Sequence, residues 1–163
     1  MLLAKRRLRL GAGRIGLISD THGLVRPEAL AAMKGSDFII HAGDIGKPEV
    51  LAALKTIAPV IAIRGNNDRG PWANKIPDLL DLKIGGIKIC VIHDVKELER
   101  GSAESFHAVI SGHSHKPSVM TEDGVVFINP GSAGPRRFKL PIAVARLQII
   151  GAKMRATILN LEG

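Results

Sequence analysis

Apolar runs that stop abruptly at polar, glycine-containing phrases set the rhythm of this chain. Residues 14–19, 37–42 and 60–64 are short and apolar, as buried strands are. Between them lie residues 27–34 and 48–57, each opened by a proline. Apolar residues there recur at helical spacing: Ala29, Leu30 and Met33 in the first, Val50, Leu51 and Leu54 in the second. Proline suits the first turn of a helix, where its missing N–H has no intrahelical partner to lose. The alternation predicts a βαβαβ unit of parallel strands joined by right-handed crossovers. The pattern then changes. Leu79–Ile84 and Ile87–Ile92 flank Gly85-Gly86 and read as a hairpin. Residues 108–111, 118–121, 125–128, 142–149 and 153–161 read as further strands, with turns at Glu122-Asp123-Gly124 and Ile150-Gly151-Ala152. A weakly patterned helix is predicted near 95–102. Parallel α/β followed by antiparallel strands predicts an α/β fold of the four-layer sandwich type, two facing mixed β-sheets flanked by helices. One domain spanning residues 1–163 accommodates all of it.

Composition narrows the setting. No apolar run approaches the roughly 18 residues that span a bilayer, so no membrane span is expected. The first ten residues lack the continuous apolar stretch of a secretory signal. The single cysteine, Cys90, cannot close an internal disulfide and falls in an apolar run, where it reads as a buried thiol. These features together predict a cytoplasmic protein. The net charge is +8, but Lys5, Arg6, Arg7, Arg9 and Arg14 all precede the first acid, Asp20. Without those five, 18 basic residues face 15 acidic ones, a balance of only +3. Residues 1–12 therefore read as a basic, partly disordered N-terminal extension on a mildly basic body. Four Phe, one Trp and no Tyr leave little for stacking on bases. Nucleic acid is accordingly a partner that the arm allows but the body does not favour.

Position turns the polar phrases into a site. Ser19-Asp20-Thr21-His22, His41-Ala42-Gly43-Asp44 and Gly65-Asn66-Asn67-Asp68 follow the three predicted parallel strands. Ile92-His93-Asp94 and Gly112-His113-Ser114-His115 follow two later ones. Ligands in open α/β sheets bind beyond the carboxyl ends of strands, so all five phrases can meet at one edge. Asp20, His22, Asp44, Asn66, His93, His113 and His115 offer three oxygen and four imidazole ligands. Seven exceed what one tetrahedral zinc needs and suit two divalent metal ions sharing a carboxylate. A nitrogen/oxygen set without thiolate favours Mn, Ni, Fe, Co or Zn over a pure-oxygen Mg or Ca site.

In this order, Asp-x-His, Gly-Asp, Gly-Asn-x-Asp, an isolated His and Gly-His-x-His resemble the calcineurin-like metallophosphoesterase superfamily. The short chain, Asn129-Pro130-Gly131-Ser132 and Pro135-Arg136 are similar to its small YfcE-like phosphodiesterase branch. The resemblance implies a divalent-metal-dependent phosphodiesterase acting on a small phosphoester substrate. Asp20, His22, Asp44 and His115 would hold the first ion. Asp44 would bridge to a second, completed by Asn66, His93 and His113, with Asp44, Asn66 and His93 as the catalytic group. Metals about 3.5–4 Å apart can activate a bridging water for in-line attack at phosphorus. Two positions depart from the pattern. Asn67 stands where many members carry a His that protonates the leaving group, and Asp94 stands where Gly is frequent.

Other residues take supporting roles in this reading. His41, Asn67 and Asp68 would orient the ligands from behind. Arg136 and Asn129 would contact the substrate phosphate, Arg136 by bidentate hydrogen bonds. His107, with no motif around it, reads as structural. Gly11-Ala12-Gly13-Arg14-Ile15-Gly16 matches the dinucleotide fingerprint, but a strand follows it where a helix is required, so it is rejected. Two other functions compete. One is an interaction scaffold like the retromer subunit that shares this architecture, against which His22 and His115 argue. The other is a nucleic-acid phosphoesterase using the basic arm. Homo-oligomers are compatible with every reading.

Overall fold

The computed structural model describes residues 3–8, 12–99 and 101–162, with residues 3–8 and 12 as backbone. Two mixed β-sheets face each other. The six-stranded sheet contains β1 (Leu3–Leu8), β5 (Leu79–Ile84), β6 (Ile87–Ile92), β7 (Ala108–Ile110), β8 (Ser118–Glu122) and β9 (Val125–Asn129), in the order β1-β5-β6-β7-β9-β8. The five-stranded sheet contains β2 (Ala12–Ile18), β3 (Phe38–His41), β4 (Val60–Ala62), β10 (Ala143–Ile150) and β11 (Lys153–Asn160), in the order β11-β10-β2-β3-β4. β2, β3 and β4 run parallel, as the predicted crossovers through α1 (Pro27–Met33) and α2 (Pro48–Lys55) require.

Alternation along the strands builds the layers. Ile15 and Leu17 of β2 and Phe38 and Ile40 of β3 point inward, onto Leu80, Leu82, Ile89 and Val91 of the opposite sheet. Their neighbours in the chain face outward: Ile18 and Ile39 pack on Ala29 and Met33 of α1 and Val50 and Leu54 of α2. On the other outer face, Cys90, Ile92 and Val109 pack beneath Leu98 and Phe106. Helices, sheet, sheet and a covering of 3-10 turns make the expected four-layer sandwich. Each fully buried Leu or Ile contributes roughly 1.5–3 kcal/mol relative to exposure.

The structure departs from the sequence reading at three points. Leu3–Leu8, assigned to a loose extension, pairs in parallel register with β5 at the sheet edge. An edge ladder is made by backbone groups, and Lys or Arg on an edge strand is a common guard against aggregation, so basic composition did not exclude a strand. The rest of that extension, residues 1–2 and 9–11, lies outside the described residues, as does Gly11 of the dinucleotide-like phrase. The helix near 95–102 is two 3-10 turns, Val95–Glu97 and Ser102–Ser105. A third short helix, α3 (Pro71–Asn74), went unpredicted. Among the described residues no helix is long and apolar enough to cross a membrane.

Candidate metal centre

The five phrases leave the carboxyl ends of β2, β3, β4, β6 and β7 and are laced together by backbone hydrogen bonds. Asp20 N donates to Gly43 O at 3.0 Å, His22 N to Asp44 O at 3.0 Å and Gly112 N to His93 O at 2.9 Å. Asp20, His22, Asp44, His113 and His115 all adopt left-handed backbone, with φ between 47° and 70°. Only Asp123 and Phe138 share that conformation among the other described non-glycine residues. Such φ values are unfavourable for residues with a Cβ and gather where surrounding structure over-determines them, typically at functional sites. Two glycines permit the crowding. A Cβ on Gly65 would overlap Asp44, and one on Gly112 would overlap Ser19 Oγ and lie 2.5 Å from Asp20 Oδ2.

The side chains converge. Asp20 Oδ1 lies 3.3 Å from His115 Nε2, 3.8 Å from His93 Nε2 and 3.9 Å from His22 Nε2. Asp44 Oδ2 lies 3.2 Å from His93 Nε2 and 3.8 Å from His22 Nε2. His22 Nε2 and His115 Nε2 face one another at 3.4 Å. Two groups able to hold a cation emerge, Asp20 with His22 and His115, and Asp20 with Asp44 and His93. Asp20 is thus the residue common to both groups, where the resemblance expects Asp44. Both carboxylates nevertheless present an oxygen to imidazoles of each group.

Among the described residues, the buried side-chain polar atoms without a hydrogen-bond partner are Asp20 Oδ1, His93 Nε2 and His115 Nδ1. All three belong to expected ligands. Neighbours explain why two of those atoms are left over. Asp20 Oδ2 accepts from Ser19 Oγ at 2.6 Å and from His113 N at 3.0 Å, leaving Oδ1. His93 Nδ1 donates to the Ala42 carbonyl at 2.7 Å, so in the neutral ring Nε2 carries the lone pair. Buried polar atoms are normally satisfied, so Asp20 Oδ1 and His93 Nε2, 3.8 Å apart with His115 Nε2 also facing Asp20 Oδ1, fit a divalent cation.

The electrostatics agree. Burial raises the Asp44 carboxyl, but the His93 imidazole, the Asn67 backbone N–H and the charge of His22 outweigh it and hold it down to about 2. Asp20 is likewise lowered: burial opposes ionisation, while His115, His93 and Ser19 favour it. Burial lowers His93, yet the neighbouring Asp44 and Asp20 carboxylates and the Ala42 carbonyl push it up to about 9. His93 Nε2 therefore sits in a field that demands a positive charge, from a proton or a metal.

The remaining two expected ligands, Asn66 and His113, line a cavity of about 340 Å³ that His93 opens into. The His113 ring meets the His93 ring edge-on at 5.2 Å, and its Nε2 lies 3.7 Å from Asp94 Oδ2. The same cavity is lined by Arg64, Asp78, Asp94 and Glu97. Arg64 was not singled out in the sequence. Its signal was its position one residue before Gly65, but its partner Asp78, at 3.0 Å from both Nε and Nη2, lies fourteen residues on.

The supporting residues divide. His41 is fully buried. Because Gly43 N donates to its Nδ1 at 3.1 Å, its Nε2 carries the proton and donates to Thr21 Oγ1 at 3.0 Å. Burial keeps it neutral, lowering it to about 4. Asn67 gives both its backbone N–H and its side-chain amide to Asp44, at 2.9 and 3.2 Å. Asp68 accepts from three backbone amides, those of Ile45, Gly46 and Gly65, and so ties the second phrase to the third. Asn129 and Arg136, expected at a substrate phosphate, each have partners within the protein. Asn129 is buried, bracing Gly112 O and Ser114 Oγ through Nδ2 and accepting from Gly131 N. Arg136 pairs with Glu162 at 2.7 Å. His107 is structural, accepting from Lys88 N at 2.9 Å.

The calcineurin-like phosphoesterase superfamily domain matches residues 14–151. A probable metallophosphoesterase of Methanothermobacter thermautotrophicus is 35% identical over 159 residues, covering 90% of this chain and 91% of the relative. The solved structure of an archaeal phosphodiesterase aligns with a TM-score of 0.75 at 25% identity, over 90% of this chain and 99% of that one. Zinc-complexed Vps29 from Entamoeba histolytica shares the fold, with a TM-score of 0.70 at 20% identity over 91% and 99% of the two chains.

Proposed function

This chain belongs to the calcineurin-like phosphoesterase superfamily, and from that membership we propose that it is a phosphodiesterase that uses two divalent ions. Asp20, His22 and His115 would hold one ion with Asp44, and Asp44 would share a second with Asn66, His93 and His113. The ions would supply Lewis acidity, neutralising phosphoryl charge and acidifying water. The observation that carries the reading is the pair of orphaned buried atoms Asp20 Oδ1 and His93 Nε2, 3.8 Å apart, with His115 Nε2 at 3.3 Å and His22 Nε2 at 3.9 Å from the same oxygen.

The chain's own residues prepare that chemistry. Ser19 and the His113 amide fix the Asp20 carboxylate, and Asn67 fixes Asp44. Ala42 O sets the His93 tautomer, so that the ring can ligate without rearranging. Asn67 cannot donate a proton at neutral pH, and its amide already serves Asp44. The reaction therefore favours a good leaving group or one that water can protonate. The activity assay is hydrolysis of bis(p-nitrophenyl) phosphate with added Mn or Ni. The wild type should turn over, while Asp44→Asn and His113→Ala should lose at least a hundredfold yet keep the wild-type circular dichroism. Full activity in both variants would refute the assignment. The likeness to Vps29 supports a second reading, an interaction scaffold that holds metal without catalysis. A panel of diesters all left intact by metal-loaded protein would favour it.

A further inference from the structure

Resting on that phosphodiesterase reading, we infer that the cavity beside His93 receives an organic substituent of the substrate and selects it by charge. A neutral or cationic group bearing hydroxyls or an amine fits; an anionic one does not. The cavity opens from the metal centre itself, because His93 forms part of its wall with a side chain only 6% exposed and Nε2 orphaned. At about 340 Å³ it has room for a small organic group rather than water alone.

Its walls carry one cation, Arg64, and three carboxylates, Asp78, Asp94 and Glu97. The cation is spoken for. Asp78 clasps Arg64 through both Nε and Nη2 at 3.0 Å, the fork-on-fork geometry that fixes a guanidinium and cancels its charge at range. Asp94 and Glu97 lie three residues apart on the turn Val95–Glu97 and its cap, so that one short segment brings both to the cavity. Asp94 Oδ1 accepts from Lys96 N, and Oδ2 faces His113. The metal side of the cavity would attract the phosphate, and the far side repels a second anion. An amine or hydroxyl there finds acceptors; a carboxylate or second phosphate meets like charge.

Three p-nitrophenyl phosphodiesters test this, differing only in the second substituent: cationic 2-aminoethyl, neutral 2-methoxyethyl or anionic carboxymethyl. All release the same nitrophenol, so the ratio of kcat/KM values reports the substituent alone. The aminoethyl ester should exceed the carboxymethyl ester by about tenfold, an order-of-magnitude figure for two partly solvated charges. The gap should shrink at least threefold in Glu97→Gln and should narrow in high salt. A Glu104→Gln control, outside the cavity, should leave it intact. Values for the three esters within twofold of one another, or a preference for the carboxymethyl ester, would overturn the inference while leaving hydrolysis in place. Failure to cleave any of the three would instead overturn the phosphodiesterase reading, and this inference with it.

Discussion

His93 Nδ1 donates to the Ala42 carbonyl at 2.7 Å, and that bond turns the bare Nε2 toward Asp44 Oδ2 at 3.2 Å. A lone pair facing a carboxylate is repulsive unless a cation lies between them. In metal-free protein the cation is a proton, consistent with His93 being raised to about 9. A group whose folded pKa is raised adds stability that is complete below its unfolded value and is lost as pH climbs through the folded one. Protein stripped with chelator should therefore become less stable between about pH 6.5 and 9. Melting temperatures across that interval check it; a flat or rising profile would contradict the stabilisation of protonated His93 by Asp44 and Asp20.

His41 gives the opposite limb. Burial lowers it to about 4, so protonation favours the unfolded chain. Stability should fall as pH drops from about 6.5 toward 4, within a range where Asp44, held down to about 2, remains ionised. Nuclear magnetic resonance titration of the His41 ring provides the direct reading. A ring that titrates near 6.5 would show that it is not sealed between Thr21 and Gly43.

Gly112 gives a way to disturb the proposed centre without removing a proposed ligand. An alanine there would collide with Ser19 Oγ and crowd Asp20 Oδ2. Gly112→Ala should weaken metal binding by about tenfold or more, the scale seen when supports behind ligands are lost. Gly86→Ala, whose added Cβ meets nothing within 4 Å, is the control and should bind like wild type. Equal affinities in the two variants would show that Asp20 has slack.

Asp68→Ala would strand the amides of Ile45, Gly46 and Gly65. Losing acceptors for buried donors costs about 1–3 kcal/mol each when unrelieved, and water would relieve part of it. Chemical denaturation should show a loss of about 3 kcal/mol. A change under about 0.5 kcal/mol would mean that the two loops hold together without it.

Arg136 and Asn129 separate the expectation from the geometry. Arg136→Ala removes an exposed ion pair worth about 0–1 kcal/mol and should change hydrolysis less than twofold. Asn129→Ala removes the brace on Gly112 and Ser114 and should cost far more. The reverse ranking in steady-state kinetics would restore Arg136 to the substrate.

Much of this was legible in the chain because strand ends and ligand phrases coincide. Leu79–Ile84 and Ile87–Ile92 matched their predicted bounds, since alternate burial along β5 imprints a period of two on the sequence. Cys90 reads as a buried thiol and is one, pushed up to about 12 by burial and then by Asp81. What escaped were side-chain destinations in loops. Nothing in residue type distinguishes Arg64, clasped to Asp78 beside the centre, from Arg136, paired with Glu162. Backbone pairing of Leu3–Leu8 was hidden for a related reason: composition reports side chains, whereas an edge ladder is made by N–H and C=O groups.

The central claim is a two-ion centre built on Asp20 and Asp44, and calorimetric titration of chelator-stripped protein with Mn tests it most directly. The account predicts two ions per chain for the wild type and no more than one for Asp44→Asn. A folded wild type that takes up one ion or none, under conditions that load other divalent-metal enzymes, would contradict it.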